Sequence, residues 1–449
     1  MHHPTDHSLR WWQHLSRKQW LLFIAATLAW FFDCLDGQLF NLARDSAKED
    51  LLGDRAQATI YAPYTTSIFL LGWAAGGLVF GALGDRYGRA RMLMWSVMIY
   101  SLCTGLSSFS TGFGDFCVYR FLTGIGVGGV FGLAVALVAD SFPERSRAPA
   151  LGLLQSLSTW GNILAGLIGM TIGAVAATGP LPWGLQAWQM IFLVGAAPAL
   201  IVGVLLRRVE EPERWRLAHE AGLKSGAKAG SYRALLGHPT WGRNAWLGLI
   251  VCTAGIIGLW GVGNFHPKIV GEIVRTHLAD QGVSPERLAS DQAYWRSIAL
   301  LFQNVGGFFG MITFAWIAQR FGRRPACGLA LLLSFLSTLV VFLGLRDFSQ
   351  IFWMLPLMGF GQLAALGVYA IYLPELFPTS LRSTGTSFCY NGGRIFAATA
   401  PFTLSRLTAH LGGEVESFRI AGAWVSATLL LGILALPFLP ETRNKPLPE

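Results

Sequence analysis

The sequence GALGDRYGRAR, residues 81–91, is a short charged stretch between two apolar runs. It is echoed by FAWIAQRFGRRP, residues 314–325, with glycine–arginine pairs in register at 88–89 and 322–323. The offset of 234 residues is slightly more than half of the 449-residue chain. This spacing indicates that the chain consists of two related halves.

Two further echoes support the duplication. DSFPERSR (140–147) corresponds to ELFPTSLR (375–382), and EEPERWR (210–216) corresponds more weakly to LPETRNK (439–445). Each member of the last pair directly follows the sixth apolar run of its half. A polar linker, residues 207–243, separates the halves.

Between these charged stretches the chain is strongly apolar: 53% of its residues are hydrophobic and 13% are charged, against about 25% charged in soluble domains. A spanning helix needs about 20 apolar residues, and lipid forces such a run to be helical because it offers the backbone no hydrogen bonds. The predicted spans, numbered 1 to 12, are 20–42, 59–83, 91–110, 116–139, 149–176, 187–206, 244–267, 296–318, 326–345, 350–373, 386–409 and 417–439.

These spans predict an all-α membrane protein with about 12 transmembrane helices. Duplicated six-helix halves are a transporter architecture with the solute site between them, so we expect two pseudo-symmetric six-helix bundles around a central cavity. The predicted divisions are a cytoplasmic N-terminal segment (1–19), an N-terminal bundle (20–206), the cytoplasmic linker (207–243), a C-terminal bundle (244–439) and a cytoplasmic tail (440–449).

The distribution of Lys and Arg predicts the orientation. Placing the N-terminus inside assigns twenty-two of these residues to the inner loops and eight to the outer loops, so both termini are expected in the cytoplasm, most simply across a bacterial inner membrane. The net charge of +9 comes from clusters between apolar runs, which excludes a nucleic-acid-binding face. The six cysteines are scattered without metal or disulfide spacing. We expect no cofactor, and a monomer surrounded by lipid.

Three charges interrupt the apolar pattern of spans 1 and 4. Asp33 and Asp36 lie three residues apart on one face of span 1, and Arg120 is expected at the depth of Asp36 on span 4. Ionisable residues inside a span cost about 2.5–3.5 kcal/mol on insertion scales and are usually functional. Two neighbouring carboxylates beside an arginine predict a proton-coupling site. The alternative is a static ion pair that joins the two spans.

Span 11 carries Arg394 near mid-membrane, with Tyr390 and Asn391 one turn earlier. No acid is evident at its level in the second half, and a guanidinium fork suits a carboxylate. We therefore predict that Arg394 binds an anionic substrate; the alternative is a structural arginine bonded to backbone carbonyls. Weaker polar candidates for substrate binding are Gln155, Asn304, Gln362 and Tyr369.

Two motifs resemble the major facilitator superfamily over nearly the whole chain. The loop G-x-x-x-D-R-x-G-R-x-R is present as Gly81, Asp85, Arg86, Gly88, Arg89 and Arg91, and span 4 carries R-x-x-x-G-x-x-x-G at Arg120, Gly124 and Gly128. The pieces PERSR, EPERWR, PELFPTSLR and PETRNKPLPE resemble the sugar-porter-related branch. D-x-x-D on span 1 with N-x-G-R on span 11 resembles the proton symporters of aromatic acids, sialate and other organic anions.

The resemblance implies gating residues at the inner ends of the spans. Arg89 would pair with Asp140 or Glu144 in one conformation and release it in the other; the alternative is that these arginines only set the topology. In the second half Gln319 replaces the acid that corresponds to Asp85, so a weaker contact is expected there. The corresponding gating candidates are Arg320, Arg323, Glu375 and Arg382.

Together these features predict a secondary transporter working by alternating access, in the first place a proton-coupled symporter of a small organic anion. A sugar or polyol porter is the main alternative, favoured by the cytoplasmic motifs and disfavoured by Arg394. A drug–proton antiporter is disfavoured because span 5 lacks a proline–glycine signature. An enzyme would require a catalytic constellation that the sequence lacks, and a non-transporting membrane sensor is the alternative from another class.

Overall fold

The computed structural model describes residues 11–53, 55–225, 228–412 and 415–449, and within them the chain is helical with short connections. Spans 1 to 6 are Arg17–Leu52, Arg55–Tyr87, Arg89–Ser107, Phe113–Ser141, Glu144–Thr178 and Ala187–Leu206. Spans 7 to 10 are Pro239–Ile256 with its continuation Ile257–Val262, Pro285–Phe321, Arg323–Gly344 and Ile351–Glu375. Span 11 comprises Arg382–Ala397 and Ala400–His410, and span 12 comprises Val415–Ser426 and Thr428–Ala435.

The predicted count of twelve spans is confirmed, although the helices are longer than the apolar runs. Ten of them are long and apolar enough to cross a membrane by length and composition. The other two are span 3, whose 19 residues begin with Arg89 and Arg91, and span 11, which is interrupted and whose first half carries several polar residues. Residues 1–10 of the predicted N-terminal segment and residues 226–227 of the predicted linker lie outside the described residues.

The spans form two bundles with the same internal packing. Spans 2 and 4 touch where a Cβ on Gly124 or Gly128 would collide with main-chain atoms of Phe69 or Trp73. In the second bundle, spans 8 and 10 touch in the same way, because a Cβ on Gly306 would collide with the carbonyl of Pro356. Small residues allow such close helix contacts in lipid. The superfamily glycines of span 4 therefore have a packing role.

The two segments without predicted structure both contain helices. The linker holds Glu213–Ser225 and Tyr232–Gly237, and the connection between spans 7 and 8 holds His266–Asp280. The helix His266–Asp280 buries Ile269, Val270 and Val274 against the second bundle. It is an amphipathic cap on the side opposite the chain termini.

The side of the bundles that carries Trp11 and the segment 439–449 is called the terminal face below. Trp11 accepts a hydrogen bond from Ser146 through its carbonyl (2.8 Å), and the carbonyl of Pro448 accepts one from Arg382 (3.0 Å). Both described chain ends are therefore tied to the inter-span loops. The loops of the charged sequence echoes lie on this face.

Candidate substrate and coupling site

A cavity lies near the middle of the spans, between the two bundles. Its volume is about 80 Å³, several times the ~10–15 Å³ that one water requires. Its polar and aromatic lining comprises Trp30, Cys34, Gln38, Trp73, Gln155, Ser158, Thr159, Asn162, Gln303, Asn304, Tyr390 and Arg394. Both bundles contribute, as expected for a solute site between duplicated halves.

Arg394 is the cationic group of the cavity. Its guanidinium lies 4.0 Å from the centroid of the Trp73 ring and 4.4 Å from that of the Tyr390 ring. It donates to the Asn391 side chain (2.9 Å) and to the carbonyl of Tyr390 (3.3 Å), whereas its Nε has no hydrogen-bond partner. Within the described residues, no carboxylate oxygen lies within 4.0 Å of this cation. The arrangement holds a buried positive charge in a fixed orientation.

Asp33 is an acidic residue whose charge interacts with that of Arg394. It is fully buried, and neither of its carboxyl oxygens has a hydrogen-bond partner in the described part of the chain. It interacts electrostatically with Asp36 and with Arg394. A buried carboxylate without donors is costly, whereas a protonated carboxyl is far less so.

Asp36 belongs to a different set of contacts. Its Oδ1 accepts a hydrogen bond from Thr104 (2.6 Å), and Thr104 also accepts one from Arg120 (3.2 Å). Arg120 donates further to Ser107 (3.0 Å) and Thr123 (3.0 Å). The structure thus links Asp36 to Arg120 through a hydroxyl. The predicted three-residue cluster is divided, because Asp33 has no part in these hydrogen bonds.

The weaker candidates separate into lining and supporting residues. Gln155 and Asn304 line the cavity, and Asn304 accepts a hydrogen bond from Asn162 across the bundles (2.8 Å). Gln362 and Tyr369 do not line it: Gln362 is bonded to Gln303 and Thr338, and Tyr369 donates to a main-chain carbonyl of span 7 (2.7 Å). In this structure neighbouring helices occupy their polar groups, so contact of Gln362 and Tyr369 with substrate stays a prediction.

Asn391 does not line the cavity but holds Arg394 in place. It accepts from Arg394 and donates to the carbonyl of Gly128 on span 4 (3.2 Å). It therefore orients Arg394 and joins the bundles. The tryptophans Trp30 and Trp73 are lining residues that the sequence prediction missed; among seventeen tryptophans, sequence alone does not distinguish a cavity-lining ring from a lipid-facing one.

The terminal face is closed by charges that bridge the bundles. Asp85 accepts hydrogen bonds from Arg89 (3.1 Å), from the backbone N–H groups of Ser383 (3.1 Å) and Thr384 (2.8 Å), and from the Thr384 hydroxyl (2.7 Å). Asp140 forms ion pairs with Arg89 and with Arg382 of the other bundle. Close approach of spans 2 and 11 requires Gly81, where a Cβ would contact Ser387.

Of the two acids predicted for Arg89, only Asp140 contacts it. Glu144 is exposed at the start of span 5. Arg86 and Arg320 were also predicted at the gate; they lie against their own helices, over the rings of Tyr87 and Trp316. The bridging contacts of the first half therefore come from Asp85, Arg89 and Asp140.

The second half has a related but different arrangement. Arg323 forms a two-point ion pair with Glu375 (2.8 and 2.9 Å) within its own bundle. Gln319, at the position of Asp85, is exposed. The backbone donor that would correspond to Thr384 falls at Pro149, which has no N–H. The contact in the second half is expected to be weaker because it lacks both the acid, replaced by Gln319, and a backbone donor, replaced by Pro149.

The third sequence echo corresponds to a pair of helix caps. Glu211 accepts hydrogen bonds from the first backbone N–H groups of span 3, and Glu441 does the same for span 9. Gly88 and Gly322 precede these helices with φ of 113° and 115°, and a Cβ on either would collide with the capping carboxylate. Burial raises the pKa of Glu441, but four backbone N–H groups outweigh it and the pKa is lowered.

This combination of two repeated six-helix bundles, a central charged cavity and a closed loop face defines a membrane transporter. Residues 20–275 match the family model of the Major Facilitator Superfamily, and residues 274–444 match that of Sugar (and other) transporters. The chain belongs to the major facilitator superfamily. The enzyme alternative is thereby excluded.

Individual relatives are similar over nearly the full chain. The cis,cis-muconate transport protein of Acinetobacter baylyi is 27% identical, covering 95% of both chains. The sialic acid transporter NanX of Escherichia coli is 25% identical, covering 94% of this chain and 95% of the relative. The proton:xylose symporter XylE of Escherichia coli has the same fold, with a TM-score of 0.68, 19% identity, and coverage of 96% and 97% of the two chains.

Proposed function

We propose that this protein is a proton-coupled symporter of a small organic anion that carries a carboxylate. The observation that carries the proposal is Arg394, a buried cation in the central cavity that is held by Asn391 and clamped between Trp73 and Tyr390. A guanidinium offers a planar pair of donors that matches a carboxylate. The flanking aromatic rings suit a flat or apolar substrate body.

Asp33 supplies the coupling in this proposal. Its electrostatic interaction with Arg394 means that an ionised Asp33 competes with a substrate anion for the same cation. Protonation of Asp33 removes the competitor, so proton binding and anion binding strengthen one another, as linkage requires. Asp36 is already engaged with Thr104 and, electrostatically, with Arg120, which favours Asp33 as the group that exchanges protons.

The relatives support an acidic substrate. The two sequence relatives described above, from Acinetobacter baylyi and Escherichia coli, transport carboxylic acids according to their names, cis,cis-muconate and sialic acid. At 25–27% identity, they support a carboxylate as the substrate class without selecting one compound.

The terminal face is the cytoplasmic side in this proposal, as the twenty-two inner Lys and Arg residues indicate, and the membrane is a bacterial inner membrane. Asp85, Arg89, Asp140 and Arg382 hold that face closed while the cavity is loaded from the other side. Breaking these contacts would allow the two bundles to separate and release the cargo. One chain is sufficient for transport in this proposal, because the cavity lies within it, and we expect a monomer.

A sugar or polyol porter is the second candidate. Residues 274–444 match the Sugar (and other) transporter model, and Gln155, Gln303 and Asn304 offer hydrogen bonds that suit hydroxyl groups. This reading leaves the charge of Arg394 without a substrate partner.

Uptake into proteoliposomes separates the two candidates. A panel of labelled cis,cis-muconate, sialic acid, benzoate and xylose is offered with and without an inward proton gradient. We expect gradient-driven accumulation of at least one carboxylate, its loss in Arg394→Ala and strong impairment in Arg394→Lys, with the exposed Arg346→Gln as a matched control. Accumulation of xylose alone, or carboxylate uptake unaffected by Arg394→Ala, would reject the anion site.

The coupling residue has its own readout. Asp33→Asn is expected to exchange substrate across the membrane but not to accumulate it against a gradient, because the carboxamide carries no proton cargo. Retained accumulation in this variant would reject Asp33 as the coupling group, without affecting the assignment of Arg394.

A further inference from the structure

Outside the central cavity, two neighbouring hollows lie on the terminal side of the seam between spans 5 and 8. The first is an apolar groove of about 600 Å³, lined among others by Trp12, Trp20, Leu153, Ile312, Trp316 and Gln319. The second is a charged pocket of about 380 Å³ at the ends of the same spans. Gln319 lines both, and consecutive residues Ala148 and Pro149 line one each. The two hollows therefore lie side by side.

The charged pocket has an excess of positive charge. Its ionisable lining is Glu144, Arg145, Arg147, Arg323, Glu375 and Lys445, four cations against two acids. Arg323 and Glu375 already neutralise each other in a two-point ion pair. Within the described residues, neither Arg147 nor Lys445 has a carboxylate oxygen within 4.0 Å. The pocket therefore suits an anion.

The apolar groove has the composition of a membrane interface. Tryptophan is enriched where acyl chains meet headgroups, and the groove carries four tryptophans, two of them in the short helical turn Trp11–His14 ahead of span 1. That turn is fixed by the hydrogen bond from Ser146 to the Trp11 carbonyl (2.8 Å). Trp316 remains 55% exposed. The groove thus has a defined wall and an open side toward lipid.

We propose that the two hollows together bind one anionic phospholipid, with its phosphate in the pocket of Arg145, Arg147 and Lys445 and an acyl chain in the tryptophan groove. A headgroup site alone would accept any soluble anion, whereas an apolar groove beside it selects an amphiphile. The lining comes from both bundles, with Pro149 and Leu153 on span 5 and Ile312 and Trp316 on span 8. The site therefore exists in this form only while the two spans keep their present spacing.

Tryptophan quenching by brominated lipid tests the site without a transport substrate. The full-length protein is reconstituted in phosphatidylcholine with increasing fractions of brominated phosphatidylglycerol or, in parallel, brominated phosphatidylcholine. The part of the signal that is absent from Trp316→Phe reports the groove. Basic residues near a membrane surface each favour anionic lipid by an amount equivalent to about fivefold in binding, so half-quenching is expected at an at least tenfold lower fraction of phosphatidylglycerol.

The charge variants decide whether the preference belongs to this pocket. Arg145→Gln with Lys445→Gln is expected to reduce the preference by about tenfold or more, while Lys445→Arg keeps it. The matched control is Arg443→Gln, which removes a neighbouring exposed charge that does not line the pocket. Equal quenching by the two lipids, or a preference unchanged in the double variant, would overturn the proposal. Displacement of phosphatidylglycerol by 20 mM inorganic phosphate would assign the pocket to a soluble anion and also overturn it.

Discussion

Asp85→Asn is the sharpest perturbation of the closed terminal face. The carboxylate of Asp85 accepts three hydrogen bonds from the other bundle, two of them from backbone N–H groups of span 11. Asparagine has the same shape but only one acceptor oxygen, so at least one buried N–H group would face an amide donor. A buried donor without a partner costs about 1–3 kcal/mol, and the lost charge-assisted bonds add to this. A total of about 3 kcal/mol changes the ratio of closed to open molecules about 150-fold.

Double electron–electron resonance between two spin labels measures the ratio of closed to open molecules. Labels replace Arg91 and Arg320, which are exposed on the terminal faces of the two bundles, after the two half-buried cysteines Cys34 and Cys117 have been changed to serine; the other four are buried. We expect Asp85→Asn to move most of the distance distribution from the short to the long separation.

The matched control for this experiment is Gln319→Asn, at the corresponding position of the second half, where the side chain is exposed. It should leave the distance distribution unchanged. A distribution that is the same in Asp85→Asn and in the parent protein would show that these hydrogen bonds do not hold the face closed.

Three further changes have expected outcomes. Gly88→Ala should lower the thermal unfolding temperature, because φ is 113° and a Cβ would collide with the carboxylate capping span 3, whereas Gly37→Ala, with open space around it, should not. Tyr369→Phe should leave the substrate KM unchanged and destabilise the protein by about 0.5–1.5 kcal/mol, because the lost hydroxyl donates to the main-chain carbonyl of Val251 and does not line the cavity; a raised KM would contradict this. The lowered pKa of Glu441 means that its contribution to stability is complete above the usual carboxyl pKa and is lost as the pH falls through the lowered value. Proteolysis of the C-terminal segment should therefore increase only in strongly acidic buffer in the parent protein, and Glu441→Gln should show the increase already at neutral pH.

The fold could be predicted from sequence because each of its determinants is local. Lipid requires each long apolar run to be a helix, and the charged loops at 81–91 and 314–325 mark the duplication. The same locality explains why Arg394 stood out, since a cation inside an apolar run has few structural explanations.

The details of the site depend on which helices face one another, which a single sequence does not encode directly. Asp33 and Asp36 share a helix face, yet Thr104 of span 3 engages only Asp36. Tyr369 reads as a polar cavity residue, but its hydroxyl meets a carbonyl of span 7. The sequence did not predict the helix caps formed by Glu211 and Glu441, because these residues lie in the weakest of the three sequence echoes.

In the proposed mechanism an organic anion and a proton bind together, at Arg394 and Asp33. Calorimetric titration of the purified protein with the best-transported carboxylate, in buffers of different ionisation enthalpy, counts the protons taken up with each anion. We expect uptake of about one proton per carboxylate in the parent protein and none in Asp33→Asn. Carboxylate binding with no proton uptake in the parent protein would contradict it.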